Sequence, residues 1–375
     1  MIANPSEQAV GARFIVLGAA AVVVVWGLHF LEPILLPFSL ALFLSVLALP
    51  VLGSLCSRGV PNWLAVLVSM SAVVGIFALF GFLASASFSD LQAALPRYQE
   101  GFQQLRADWT VAIESSVAIL EPGDVDTLLE RLNIWDPARF FELAGTTLGR
   151  AASFVGQGLL VLLIMVFVLA EAAVFPDKLE AIFGDGMTGE ERMRTVVVEV
   201  QQYLGIKTLV SLATGIVIGG WCWILGLDFA VLLGMIAFAL NYIPTVGSII
   251  AGVPAVVLSL IITGGSFAHA LLVAGGYVVV NTVFGNFIEP SLMGRRLGLS
   301  TLVVILSLVF WGWVWGPVGA LLSVPLTMIV KIWLENTQDL RWIALLLDKQ
   351  ARPLHEEETP PAMTPLPTPS DSVQA

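Results

Sequence analysis

Residues 225–258 read LGLDFAVLLGMIAFALNYIPTVGSIIAGVPAVVL, and residues 297–330 read LGLSTLVVILSLVFWGWVWGPVGALLSVPLTMIV. Leu225-Gly226-Leu227 matches Leu297-Gly298-Leu299, Val246-Gly247 matches Val318-Gly319, and Val253-Pro254 matches Val324-Pro325 with one deletion. The shared order of LGL, a Pro/Gly break, VG and VP marks an internal repeat. Both copies have an awkward length. Phe229 to Ile262 is 34 residues, about 51 Å as one helix at about 1.5 Å per residue, against a hydrocarbon core of about 30 Å. A break at Asn241 to Gly247 leaves two arms, each short for a full crossing. A helical hairpin that enters and returns fits best, with a pair of short full spans as the alternative. Thr301 to Val330 behaves likewise around Gly312 to Gly319, where Pro removes a backbone donor and Gly weakens the helix.

Irregular backbone at membrane depth is tolerable only where protein buries it or water reaches it, so each break is a candidate pathway lining. One apolar run, Ala268 to Phe287, separates the two stretches, and the hairpins therefore open to opposite faces. Inverted repeats with discontinuous helices are the architecture of secondary transporters, because exchanging the conformations of the two halves exchanges the open side. The expectation is an all-α polytopic membrane protein with two inverted, re-entrant hairpins whose tips meet near the midplane.

The remainder of the chain agrees. Of 375 residues, 57% are hydrophobic and 12% charged, about half the charged share of an ordinary soluble domain, which excludes a soluble enzyme. A net charge of -11 leaves no basic surface for a nucleic acid. Cys56 and Cys222, with His29, His269 and His355, imply neither a disulfide framework nor a metal site. Further apolar runs cover Phe14–Phe30, Ile34–Leu52, Trp63–Ala86, Ala151–Val174 and Lys207–Leu225. Asp90 to Arg150 carries ten carboxylates and five arginines with apolar residues at helical spacing, which predicts amphipathic helices outside the bilayer, broken at Pro96 and Pro122-Gly123. Thr188 and Glu191 have capping-box spacing and predict a helix start. The division is then 1–86 as N-terminal spans, 87–150 as an external (periplasmic) segment, 151–206 as a fourth span and cytoplasmic helix, 207–333 as a transport unit, and 353–375 as a disordered tail. With both termini cytoplasmic and no net crossing by either hairpin, 12 Lys and Arg lie inside and five outside, in keeping with the positive-inside rule.

The motifs NYIPTVGSIIAGVPAVVLSL (Asn241–Leu260), NFIEPSLMGRRLGLS (Asn286–Ser300) and WGPVGALLSVPLT (Trp315–Thr327) resemble the signature of the autoinducer-2 exporter family of bacterial inner-membrane permeases. The resemblance covers Phe14 to Trp333 and is specific in the last 130 or so residues. It implies an oligomeric secondary transporter exporting small polar molecules, the signalling furanosyl compound among them, and in some members sodium/proton antiport. It departs at Ser300-Thr301, where a His-Pro or Ser-Pro pair is common, and the tail has no counterpart.

Ionisable groups at membrane depth are functional candidates by default. Glu289 follows an apolar run and with Asn286 offers carboxylate and amide oxygens. It reads either as a coupling carboxylate or as a headgroup-level partner of Arg295 or Arg296. Asn241, Tyr242, Pro244, Thr245 and Gly247 form the first break, where free carbonyls and the N-terminus of an arm suit cations or hydroxyls. Gly316, Pro317 and Gly319 form the second. Asp228 is expected to cap a helix, His269 to be interfacial, and Lys207 and Lys331 to snorkel to the cytoplasmic face. Trp311, Trp313 and Trp315 read as belt anchors or, less simply, as a stacking surface. No Walker-type loop, HExxH or GxSxG occurs in the chain, so neither a catalytic set nor a cofactor is expected. Three functions remain open: export of a small polar solute through the lipid bilayer, cation/proton antiport through Glu289, and a non-transporting scaffold.

Overall fold

The computed structural model describes residues 5–116, 158–172, 188–244, 246–293, 299–335, 343 and 346–347. The expectations for Thr245, for Arg295 and Arg296, for the segment beyond Ser116 and for the tail lie outside the described residues. The chain is an all-α, multi-pass membrane protein. Five of its described helices are long and apolar enough to cross a bilayer.

Helices α1 (Pro5–Phe30) and α2 (Glu32–Ser57) follow one another with Leu31 alone between them. Helix α3 (Asn62–Ser116) runs 55 residues without interruption, about 80 Å. The break expected at Pro96 is therefore absent: a proline costs one hydrogen bond, and Pro96 sits on an exposed face of a helix held on either side by Leu91, Tyr98 and Phe102. Helix α4 (Gly158–Ala172) packs Val161, Met165 and Leu169 against Ala41 and Ala48 of α2 and Ala65 of α3. Small side chains let these helices approach closely where lipid supplies no hydrophobic drive. Helix α5 (Thr188–Ile224) carries the Thr188–Glu191 spacing in its first described turn and runs on into an apolar segment.

The two awkward stretches are hairpins. In the first, α6 (Ala230–Leu240) and α7 (Val246–Ile262) pack on each other through Leu233 and Ala237 against Ala251, Ala255 and Leu258. In the second, α10 (Thr301–Glu335) is interrupted at Trp315 and at Gly316, whose φ of 63° suits glycine. The Trp311 Nε1–H donates to Thr327 Oγ1 across 3.1 Å, though the two lie 16 residues apart, a distance of about 24 Å along an unbroken helix. The chain must reverse between them. The repeat holds in detail at its VG pairs. A Cβ on Gly247 would overlap the Leu240 carbonyl, and one on Gly319 would overlap the Trp311 carbonyl. In each hairpin the second arm starts where a backbone oxygen of the first leaves room for a hydrogen atom alone. Between the hairpins run α8 (Phe267–Asn281), a π-helical turn (Thr282–Ile288) and the short α9 (Glu289–Met293).

The first hairpin is seated on α5 by glycine. A Cβ on Gly234 would stand 2.6 Å from the Gly215 carbonyl oxygen and 3.1 Å from the Gly219 Cα. The Gly215-x-x-x-Gly219 pair thus brings α5 and α6 into backbone contact. Two measurements check this architecture. Gly312→Cys with Ala320→Cys, in a background without Cys56 and Cys222, forms a disulfide, because the Cβ positions are 3.6 Å apart, within the range of about 3.5–4.5 Å such a bond needs. A continuous helix would separate them by about 12 Å and leave both thiols free to alkylation. Gly234→Val lowers the thermal unfolding midpoint in detergent by several degrees, whereas Gly220→Val, at a position with open space, leaves it close to the parent.

Candidate functional site

Lys207 lies on the apolar part of α5, and its expected escape to the cytoplasmic surface does not occur. Its side chain is 5% exposed, and its Nζ donates to both carboxylate oxygens of Glu289, at 2.8 and 2.9 Å. Snorkelling would leave Glu289 as an unpaired charge in a low-dielectric interior, a larger cost than enclosing both. Glu289 is thus paired with a lysine 82 residues away, and its carboxylate is 18% exposed. Lys331 is also buried rather than snorkelled, with Glu335 3.5 Å away one turn on.

The ion pair forms one end of a cavity of about 650 Å³. Its walls come from four places. The first hairpin's tip supplies Asn241, Ile243 and Pro244. Helix α7 supplies Ser248 and Gly252, α8 supplies Tyr277 and Asn281, and the π turn supplies Thr282, Gly285 and Asn286. Apolar wall alternates with amide and hydroxyl groups, the composition of a small-molecule site. The tip is held to α5 by side chains: Asn241 Nδ2 donates to Ser211 Oγ at 2.9 Å, and the Tyr242 hydroxyl donates to Thr208 Oγ1 at 2.8 Å. These bonds satisfy polar groups that lipid could not. Of the expected site residues, Asn241, Pro244, Asn286 and Glu289 line this cavity, while Tyr242 faces α5 and Gly247 is buried between the arms.

Gly316, Pro317 and Gly319 lie elsewhere. The second tip meets the turn between α1 and α2: His29 Nδ1–H donates to the Val314 carbonyl at 2.7 Å, Trp315 Nε1–H donates to the Leu28 carbonyl at 3.1 Å, and Trp313 stacks on His29. No residue of the second hairpin lines the cavity. The second tip thus packs on the junction of α1 and α2, while the first is bonded to Thr208 and Ser211 of α5. Trp311 and Trp315 are buried in that contact.

A further assignment changes. Asp228 does not cap α6, which starts at Phe229 with no side-chain cap. Its carboxylate accepts the Tyr98 hydroxyl at 2.5 Å. Burial, and then the neighbouring carboxylate, push the Tyr98 phenol well above its ordinary pKa. His269 is half-buried and bridges elements, with Nε2 3.0 Å from the Leu225 carbonyl and Nδ1 2.7 Å from the Ser259 hydroxyl. Sequence reasoning missed Lys207 as a site residue. The signal was a lone cation inside an apolar run, and its partner lies 82 residues away.

Removing one member of a buried pair strands the other, at about 3–5 kcal/mol, whereas replacing both with apolar residues is often neutral. Lys207→Met and Glu289→Met should each lower the unfolding midpoint in lipid nanodiscs, and the double variant should recover most of the loss. Additive losses would contradict the pairing.

With the geometry described, relatives can be placed. The family pattern described as AI-2E family transporter matches residues 19–339. The AI-2 transport protein TqsA of Escherichia coli is 37% identical over 350 residues, covering 92% of this chain and 98% of that one. A Haemophilus influenzae protein is 35% identical over 339 residues, 88% of this chain and 95% of its own length. The YhhT protein of Escherichia coli is 33% identical over 345 residues, 92% and 96% of the two chains. A match over almost the whole length, on a multi-pass fold with a cavity among its apolar helices, makes this chain a member of the AI-2E family of membrane transporters.

Proposed function

We propose that this protein is a secondary transporter of the bacterial inner membrane, with both termini cytoplasmic, that exports a small polar solute by alternating access. The observation that carries the reading is the cavity between the first hairpin, α8 and the π turn, closed at one end by Lys207 and Glu289. Three carboxamides, from Asn241, Asn281 and Asn286, with the Ser248 and Thr282 hydroxyls, can exchange hydrogen bonds with an oxygen-rich solute. The ion pair is neutral as a unit, so an uncharged solute meets no net field. The name of the relative TqsA makes autoinducer-2 the first solute to try. The transport unit is 207–333, the first four spans with the external arm of α3 form the scaffold, and subunits associate through that scaffold.

A second reading rests on the same pair. A cation that competes with the Lys207 ammonium for Glu289 would exchange with a proton at that carboxylate, which is sodium/proton antiport. The two readings separate in reconstituted vesicles. Under solute export, autoinducer-2 or another member of a panel of small polar metabolites leaves loaded proteoliposomes faster than protein-free vesicles. Glu289→Gln and Asn241→Ala then cut that rate at least tenfold, and Val279→Ala on the exposed side of α8 leaves it unchanged. Under antiport, a sodium gradient acidifies or alkalinises the lumen and Glu289→Gln abolishes the change. Vesicles that show neither flux reject the proposal.

A further inference from the structure

The helix that carries Glu289 widens for a single turn just before it. From Phe267 to Asn281 the backbone is α-helical, over Thr282–Ile288 it is π-helical, and from Glu289 to Met293 it is α-helical again. The Glu289 N–H donates to the Phe284 carbonyl, five residues back instead of four. Such a turn accommodates one residue more than the α-helical path beside it, and wide turns of this kind recur at functional sites. Pro290 supplies the local cause. Its ring would collide with the Asn286 carbonyl four residues back, and it has no N–H to offer that oxygen. The regular hydrogen-bond ladder favours the narrow form, and the proline favours the wide one.

Little holds the turn open from outside. None of its seven residues is buried, and a Cβ added to Gly285 would meet nothing within 4 Å. Over the described part of the helix beyond it, Glu289–Met293, Met293 is the one buried side chain. Rotating that part disturbs little packing.

We propose that Thr282–Ile288 is a register switch for the Lys207–Glu289 pair. The wide turn holds Glu289 on Lys207. Closing it to the α form hands one residue to the helix beyond, a rotation of about 100° with about 1.5 Å of rise. That rotation takes Glu289 off Lys207 and sets Ile288 in its place. Thr282, Gly285 and Asn286 line the cavity, so the same step reshapes its wall. An isoleucine opposite a buried ammonium leaves that charge unpaired. The narrow form is therefore favoured only when oxygen atoms of a solute take over Lys207, which ties the switch to occupancy. The inference rests on the transport reading, since it names the step that opens and closes that site.

The test pairs hydrogen exchange in lipid nanodiscs with solute flux, in the full-length protein. In the parent, residues 282–293 should exchange at least tenfold faster than 267–281. Deleting Val283, which is 41% exposed and outside the cavity lining, removes the extra residue and leaves Glu289 facing Lys207. The deletion should slow exchange to the rate of α8, keep or raise the unfolding midpoint, and cut flux more than tenfold. Pro290→Ala restores the missing donor. It should also slow exchange, and cut flux at least threefold, and it decides by the same two readouts if the deletion does not fold. A folded deletion with parental flux, or parental exchange at 282–293 no faster than in α8, overturns the switch. Absence of flux in the parent for every solute would instead reject the transport reading, while the exchange rates would still decide the state of the turn.

Discussion

A backbone surrounded by lipid has no water to bond, so every departure from a continuous helix must be covered by protein or open onto a polar cavity. Among the described residues three such departures stand out, at the tip of each hairpin and at the π turn. The three departures meet the constraint differently. The second tip is covered: indole and imidazole donors reach backbone carbonyls across its contact with α1 and α2. The first tip is half covered, with Asn241 and Tyr242 bonded to α5 while Pro244 and Ile243 face the cavity. The π turn opens onto the same cavity. Two of the three irregularities thus share one cavity, and the Lys207–Glu289 pair lines it.

The two hairpins share a sequence pattern and a glycine contact, yet they differ in what surrounds them. One lines the cavity and the other packs on the junction of α1 and α2. Identical architecture with unequal surroundings fits a repeat whose halves have taken separate tasks. The glycine of each VG pair does the same steric job in both, because the close return of a chain at a hairpin is a geometric demand, independent of what the hairpin serves.

Much of this was legible in the sequence, for identifiable reasons. Segment length against bilayer thickness, with Pro and Gly at the midpoints, foretold both reversals. What could not be read depended on partners distant along the chain. Lys207 and Glu289 look like two isolated charges until α5 and α9 are brought together, and Asp228 looks like a cap until Tyr98 is placed against it. Pro96 misled because a proline costs one bond, and a helix supported along one face absorbs that loss. The glycine seam of Gly215, Gly219 and Gly234 carried a visible small-residue spacing, but its counterpart on α6 is a single glycine in an apolar run.

Helix α3 leaves its apolar segment and continues as an arm against the first hairpin's base. Tyr98 holds Asp228 ahead of α6, the Gly265 turn after α7 lies against Leu105, and Trp109 stacks on Phe267 at the start of α8. The other end of α3 is locked to α2 and α4. Such a rod ties the foot of the first hairpin to α2 and α4, so that moving that foot away from α3 would have to break the Tyr98–Asp228 bond and part the Trp109–Phe267 stack.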